Sequence, residues 1–293
     1  MDGKVAVVTG AGGGLGRAEA LALARAGANL VIGDIDAGAL STVADEIAEL
    51  GGKAIPITGD IAERATADAL TTAAVEQLGG LHVLVNNAGM TRDRMLFNMS
   101  DQEWDDVIRV HLRGGFLLSR NAAAHWRTLS KADGGPVYGR VVNTASEASL
   151  LGSEGQPNYA AAKSGIVALT LSTARALARY GVRANAICPR ARTAMTEGVF
   201  GAAPEGETDP LSVDHVAPFV AYLASPDADA ISGQVFVVYG GMVALLSAPA
   251  VERRFDAPGS AWTHAELAES VGRYFDARDP QRTFAAADVM SLS

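Results

Sequence analysis

Cysteine is almost missing from this sequence: Cys188 is the only one in 293 residues. A disulfide within the chain is therefore excluded, which fits a reducing compartment. Cys188 itself reads as a small apolar filler at the end of a strand. No uninterrupted apolar run reaches about 18 residues, so no segment is a candidate membrane span. The opening Met1-Asp2-Gly3-Lys4 leads straight into a strand pattern, with no basic-then-apolar leader, and a cytoplasmic protein is expected. Positive charge is scarce: 24 Lys and Arg stand against 33 Asp and Glu, a net charge of -9. That balance argues against a nucleic-acid surface. No internal repeat and no long low-complexity linker is visible, and no metal site is expected.

Hydrophobic residues make up 48% of the chain, enough for a full core in one α/β domain. Seven short apolar runs, rich in Val and Ile, fall at 5–9, 30–33, 54–57, 83–86, 140–143, 183–187 and 235–238. Helical patterns, such as 15–26 and 66–78, separate them. Strands apolar on both faces that alternate with helices predict a Rossmann-type α/β fold, a doubly wound parallel seven-stranded sheet with helices on both faces. Residues 127–139 read as a surface loop, and 191–209 as a mobile loop or lid. The expected organisation is a single domain over 1–293, with a core at 1–241 and a helical extension at 242–293. In that tail Thr263-His264-Ala265-Glu266 has the capping-box pattern and predicts a helix through about Phe275.

After the first strand comes Thr9-Gly10-Ala11-Gly12-Gly13-Gly14-Leu15-Gly16-Arg17, and a helix pattern starts at once. Glycines allow close backbone approach to a pyrophosphate, and the helix N-terminus offers free N–H groups to it. The spacing Gly10, Gly14, Gly16 departs from the G-x-G-x-x-G fingerprint. Asp34 ends the second strand. A carboxylate there can accept hydrogen bonds from both ribose hydroxyls of NAD and would repel the 2′-phosphate of NADP. NAD is the expected cofactor. Asp60 and Asn86-Asn87-Ala88-Gly89 also end strands at the carboxyl edge, where such folds bind ligands. The Asn pair could equally tie loops together.

Ser146 follows the fifth strand, and Tyr159 and Lys163 lie four apart on the next helix, facing one side. A free tyrosine, with a pKa of about 10, is a poor base at neutral pH. A neighbouring lysine cation and a nicotinamide charge could lower it. Tyr159 would then take a proton from a substrate alcohol as hydride leaves, and Ser146 would hydrogen-bond the substrate oxygen.

Together, the glycine turn, Asn86-Asn87-Ala88-Gly89, Ser146, Tyr159 and Lys163 resemble the short-chain dehydrogenase/reductase family from Lys4 to about Gly241. The resemblance implies that Gly10, Gly14, Leu15, Gly16, Asp34, Ala88, Gly89 and Pro189 line the cofactor. It implies Asp60 and Ile61 at its adenine, Asn87 on its ribose side, and Lys163 at the nicotinamide ribose. It also implies a homodimer or homotetramer. Two positions depart from the family pattern. His111 stands where a catalytic Asn is usual; its carbonyl could still hold a water linked to Lys163, or the ring could simply be a packed histidine. The usual Pro-Gly after the sixth strand is Pro189-Arg190, in a shortened loop. Both departures are similar to the dehydrogenase module of the type 4 17β-hydroxysteroid dehydrogenase group, including its bacterial members of sterol side-chain breakdown.

That similarity implies a small-molecule substrate, a 3-hydroxyacyl-CoA thioester or a 17β-hydroxysteroid. Arg190 and Arg192 could then meet CoA phosphates, or form ion pairs within the subunit. Two other readings stand beside it: an NADPH-dependent 3-oxoacyl-carrier-protein reductase, against which Asp34 argues, and a non-catalytic NAD-binding scaffold, against which the intact Ser-Tyr-Lys set argues.

Overall fold

The computed structural model describes residues 1–196, 200–204, 209–280 and 282–292. It divides into two compact units, Met1–Leu246 and Ser247–Ser293.

The first unit is built on one sheet of eight strands: β1 Val5–Thr9, β2 Asn29–Asp34, β3 Ala54–Thr58, β4 Val83–Asn86, β5 Gly139–Thr144, β6 Val182–Pro189, β7 Val235–Tyr239 and β8 Met242–Leu245. The order is β3-β2-β1-β4-β5-β6-β7-β8. β1 to β7 are parallel, and β8 runs antiparallel to β7. All seven expected strands are present. The eighth adds to the expected sheet. Gly240, with φ +51°, and Gly241 form the two-residue turn that pairs Tyr239 with Met242.

Helices cover both faces. α1 Gly14–Arg25 and α2 Ala37–Glu49 lie on one side; α3 Arg64–Thr72, α5 Gly114–Asp133 and α7 Pro157–Leu177 lie on the other. Alternate residues of β1 feed the two cores: Ala6 and Val8 pack with Leu23, Leu40 and Ile47, while Val5 and Val7 pack with Leu70, Leu117 and Trp126. The first side is completed by α8 Ala217–Ala224. Two short helices, α4 Asp101–Ile108 and the single turn α6 Ala148–Leu151, pack on α7.

α5 runs on to Asp133 and stops at Gly134 in the left-handed region, φ +69°. The loop expected at 127–139 therefore shrinks to a few residues before β5. Of the loop expected at 191–209, residues 197–199 and 205–208 lie outside the described residues. Between α4 and α5 the chain widens into one π-helical turn, Arg109–Arg113, which carries His111. Such turns are rare and recur at functional sites.

In the second unit Thr263 caps α9 His264–Leu267 with the expected box: its hydroxyl accepts from Glu266 N–H, and Glu266 accepts from Thr263 N–H at 2.8 Å. Helical turns continue to α10 Arg273–Asp276. Tyr274 and Arg278 both donate to Glu252, at 2.9 and 3.0 Å.

Candidate active site

The strand order reverses between β1 and β4, and the candidate residues gather at the carboxyl ends of those strands and their neighbours. The glycine turn is held shut from inside. A Cβ on Gly16 would overlap the Gly10 carbonyl oxygen, and one on Gly10, at φ +65°, would press on Ala88. Among the described residues Gly13 has open space around it, and Gly14 meets only the Thr193 side chain, at ordinary contact distance. The result is a cradle of bare backbone at the start of α1, which suits a diphosphate. Gly12 N–H donates to Asp34 Oδ2 at 3.0 Å, so the turn and the β2 carboxylate form one unit. Leu15 and Ile61 are buried, and Pro189 closes β6.

The Asn86-Asn87 pair ties strands together. Asn86 Nδ2 donates to Asn143 Oδ1 at 2.8 Å, and Asn87 Nδ2 to Thr9 O at 3.1 Å. Thr9 Oγ1 accepts from the N–H groups of Asn87 and Ala88, both at 3.1 Å. Asp60 accepts from Ala62 N–H at 2.8 Å and pairs with Arg109 at 2.6 Å, so its carboxylate is already engaged.

Ser146, Tyr159 and Lys163 come together. Ser146 lies near enough to Tyr159 to favour the charged form of its phenol. Lys163 Nζ lies 5.4 Å from the centre of the Tyr159 ring and donates to Thr144 O at 2.6 Å. Burial drives the phenol up to about 12, against the opposing effect of Ser146. Burial thus dominates in the protein alone; the expected lowering also invoked the nicotinamide charge, which acts only once the cofactor is bound. Burial likewise brings Lys163 down to about 8. At neutral pH this pair is phenol and ammonium. Cys188 is a buried thiol, pushed up to about 12 by burial, as a structural filler would be.

His111 is buried against these groups. Its Nε2 lies 3.0 Å from Met90 N and 2.7 Å from Met90 O, while Nδ1 has no partner among the described residues. Burial and the Lys163 charge bring the imidazole down to about 3, so the ring is neutral. A Cβ on Gly89 would run into this ring. The imidazole is therefore no proton carrier at neutral pH. A cavity of about 10 Å³, lined by Thr9, Asn86, His111, Thr144 and Lys163 among others, lies beside it. That is room for about one water.

The family model for short chain dehydrogenases matches residues 4–202. The chain belongs to the short-chain dehydrogenase family. It is an oxidoreductase acting on CH–OH groups, with a nicotinamide cofactor. It is 62% identical to a hydroxyacyl-CoA dehydrogenase, ChsB1, of Mycobacterium tuberculosis, over 99% of this chain and 94% of that protein. It is 35% identical to the mouse peroxisomal multifunctional enzyme type 2, over 96% of this chain and 38% of that longer protein. A crystal structure of a short chain dehydrogenase from Mycobacterium avium is similar in fold, with a TM-score of 0.87 and 46% identity over 98% of this chain and 99% of that one.

One feature of this short-chain dehydrogenase was not read from its sequence. Asn158, fully buried, donates to Arg92 O and Glu103 O and accepts from Tyr159 N–H at 2.7 Å. It locks the start of α7, and with it Tyr159, to the segment after β4. An Asn at the second position of a helix that opens with Pro157 was the available signal. Arg190 makes two 2.8 Å bonds to Glu147, and Arg192 pairs with Asp209 at 2.9 Å and donates to the carbonyls of Phe200 and Gly201. They form ion pairs within the subunit, the second of the two readings above.

Proposed function

We propose that this protein oxidises a 3-hydroxyacyl-CoA thioester, of the kind derived from a sterol side chain, with NAD as hydride acceptor. A 17β-hydroxysteroid is a further substrate. The observation that carries this reading is the 62% identity to a hydroxyacyl-CoA dehydrogenase along nearly the whole of both chains, with Ser146, Tyr159 and Lys163 gathered at one point. Asp34 supports NAD: its carboxylate sits on the glycine turn, where a 2′-phosphate would meet like charge.

Gly10, Gly14, Leu15 and Gly16 hold the diphosphate in this reading, and Asp34 holds the adenosine ribose. Asp60 and Ile61 flank the adenine. Asn87, Ala88, Gly89 and Pro189 wall the ribose and nicotinamide side. When bound, the nicotinamide accepts hydride from the substrate carbon. Ser146 hydrogen-bonds the substrate oxygen as charge develops there. Tyr159 passes its proton to a carbonyl in the reducing direction, and takes the hydroxyl proton in the oxidising direction. In the oxidising direction the phenol must first come down from about 12. The Lys163 ammonium and a positively charged nicotinamide both act in that sense. His111 is a positioning residue, its ring fixed by Met90 and set against Tyr159. The working form is a cytoplasmic homodimer or homotetramer.

A turnover panel with NAD tests the substrate. It compares straight-chain 3-hydroxyacyl-CoA, steroid side-chain acyl-CoA and free 17β-hydroxysteroid. The highest kcat/KM is expected on an acyl-CoA. Turnover confined to free steroid, or faster with NADP than NAD, contradicts the reading.

A further inference from the structure

The π turn Arg109–Arg113 is held from two sides. Arg109 and Arg113 stand four residues apart and share one face, and His111, midway between them, falls on the other. Both arginines reach the loop between β3 and α3. Arg109 Nη1 pairs with Asp60 Oδ2 at 2.6 Å and lies 3.5 Å from Glu63 Oε1. Arg113 Nε donates to Ala62 O at 3.1 Å. Ile61 packs on Gly114, the next residue, where a Cβ would come within 2.6 Å of the isoleucine side chain. Successive residues of one loop, Asp60 to Glu63, therefore grip one turn of helix. The loop is itself closed. The Asp60 carboxylate accepts from Ala62 N–H at 2.8 Å, and its carbonyl accepts from Glu63 N–H at 3.0 Å.

On its other face the turn meets the catalytic group. His111 is buried, with Nε2 against Met90 and its ring on the Tyr159 ring, centroids 5.2 Å apart. Ile61 also lines the small cavity bordered by His111 and Lys163. The Arg109 and Asp60 side chains are 39% and 32% exposed, and a pair so placed adds little to overall stability. Its value is geometric. Together with the Ala62 and Ile61 contacts it fixes where the turn, and hence the imidazole, sits against the phenol. A misplacement of about 1 Å at a reacting group costs about a hundredfold in rate.

We propose that Arg109 and Arg113 are positioning residues that make the loop 60–63 the outer support of the turn setting His111 against Tyr159, so that the adenine half of the cofactor, bound at that loop, steadies the phenol. The proposal rests on the placing of Asp60 and Ile61 at the adenine given above. A ligand that orders the loop orders the turn through the same contacts, and packed side chains carry the effect from the turn to Tyr159.

The test uses ADP-ribose, which carries the adenine and diphosphate of NAD without its nicotinamide. Hydrogen exchange of the amides at 109–114 is followed with and without it, in wild type and in Arg109→Ala/Arg113→Ala. In wild type ADP-ribose is expected to slow exchange there. In the double variant ADP-ribose should still bind, and the slowing should be lost. Both arginine side chains reach solvent, so the variants are expected to fold. Steady-state kinetics supply the second readout. The kcat of Arg113→Ala with NAD and acyl-CoA is expected to fall about tenfold, with KM for NAD within about threefold of wild type. Arg113→Lys keeps a cation that can donate to Ala62 O and should restore most of the loss. The proposal is overturned by binding of ADP-ribose to wild type without slowing at 109–114, by equal slowing in the double variant, by an unchanged kcat in Arg113→Ala, or by a loss confined to KM for NAD. Failure of the parent reading looks different: ADP-ribose then does not bind wild type, or binds without competing with NAD, and the adenine assignment falls together with the proposal built on it.

Discussion

The His111 imidazole meets the Tyr159 ring edge to face, with centroids 5.2 Å apart and planes 87° apart. A T-shaped contact of this kind fixes the phenol without supplying a proton path. His111→Ala is expected to open a cavity beside Tyr159 and lower stability by about 2–4 kcal/mol. With the phenol loosened, kcat should fall by about tenfold or more while NAD affinity holds. Denaturant unfolding, steady-state kinetics and NAD titration separate the two effects. An unchanged kcat in the destabilised variant would reduce His111 to packing alone.

The same ring makes stability depend on acid. His111 is depressed to about 3 in the fold from an ordinary value of 6.5. The unfolded chain therefore binds a proton there that the folded protein refuses. The stability contribution is intact above pH 6.5 and is lost as pH falls towards 3, at up to about 1.4 kcal/mol per pH unit. His111→Gln should flatten the fall of Tm across that window. Parallel Tm curves for the two proteins would contradict this.

Asp34 accepts from Gly12 N–H and Asp36 N–H, at 3.0 and 3.2 Å, and so faces the glycine turn. Asp34→Ala is expected to lower kcat/KM with NAD by about 10–100-fold, the value of hydrogen bonds to a charged acceptor. Turnover with NADP should rise, because like charge is removed. A variant that keeps wild-type preference would assign cofactor selection to other residues.

Arg190 and Glu147 are each 17% exposed and share two hydrogen bonds next to Ser146. Arg190→Ala leaves Glu147 unpaired, and a stability loss of about 1–3 kcal/mol is expected. The KM for acyl-CoA and for free steroid should rise together. A rise confined to acyl-CoA would show that the arginine reaches the CoA phosphates after all.

The seven parallel strands were legible because each is apolar on both faces and bounded by turn residues. β8 was overlooked although Gly240-Gly241 is a hairpin signal, because a four-residue strand after a glycine pair resembles a tail. The grouping of Ser146, Tyr159 and Lys163 at the candidate site was legible from residue types at fixed spacing. Its electrostatics were not. Whether Tyr159 is raised or lowered depends on how deeply the phenol is buried, and spacing is silent on that. Glu19 reads as an ordinary polar position in an Ala- and Leu-rich helix; only the packed structure shows it to be inside. The π turn at 109–113 leaves no residue signature, yet it carries His111.

Tyr159→Phe is the most direct test of the central claim. The substitution removes one hydroxyl and leaves the ring against His111 and Lys163. Turnover of a 3-hydroxyacyl-CoA with NAD should fall by at least about a thousandfold, near the scale set by general acid–base groups. NAD binding, followed by fluorescence titration, should stay within about twofold of wild type. Retained turnover in a variant that binds NAD normally would contradict the assignment of Tyr159 as the group that moves the proton.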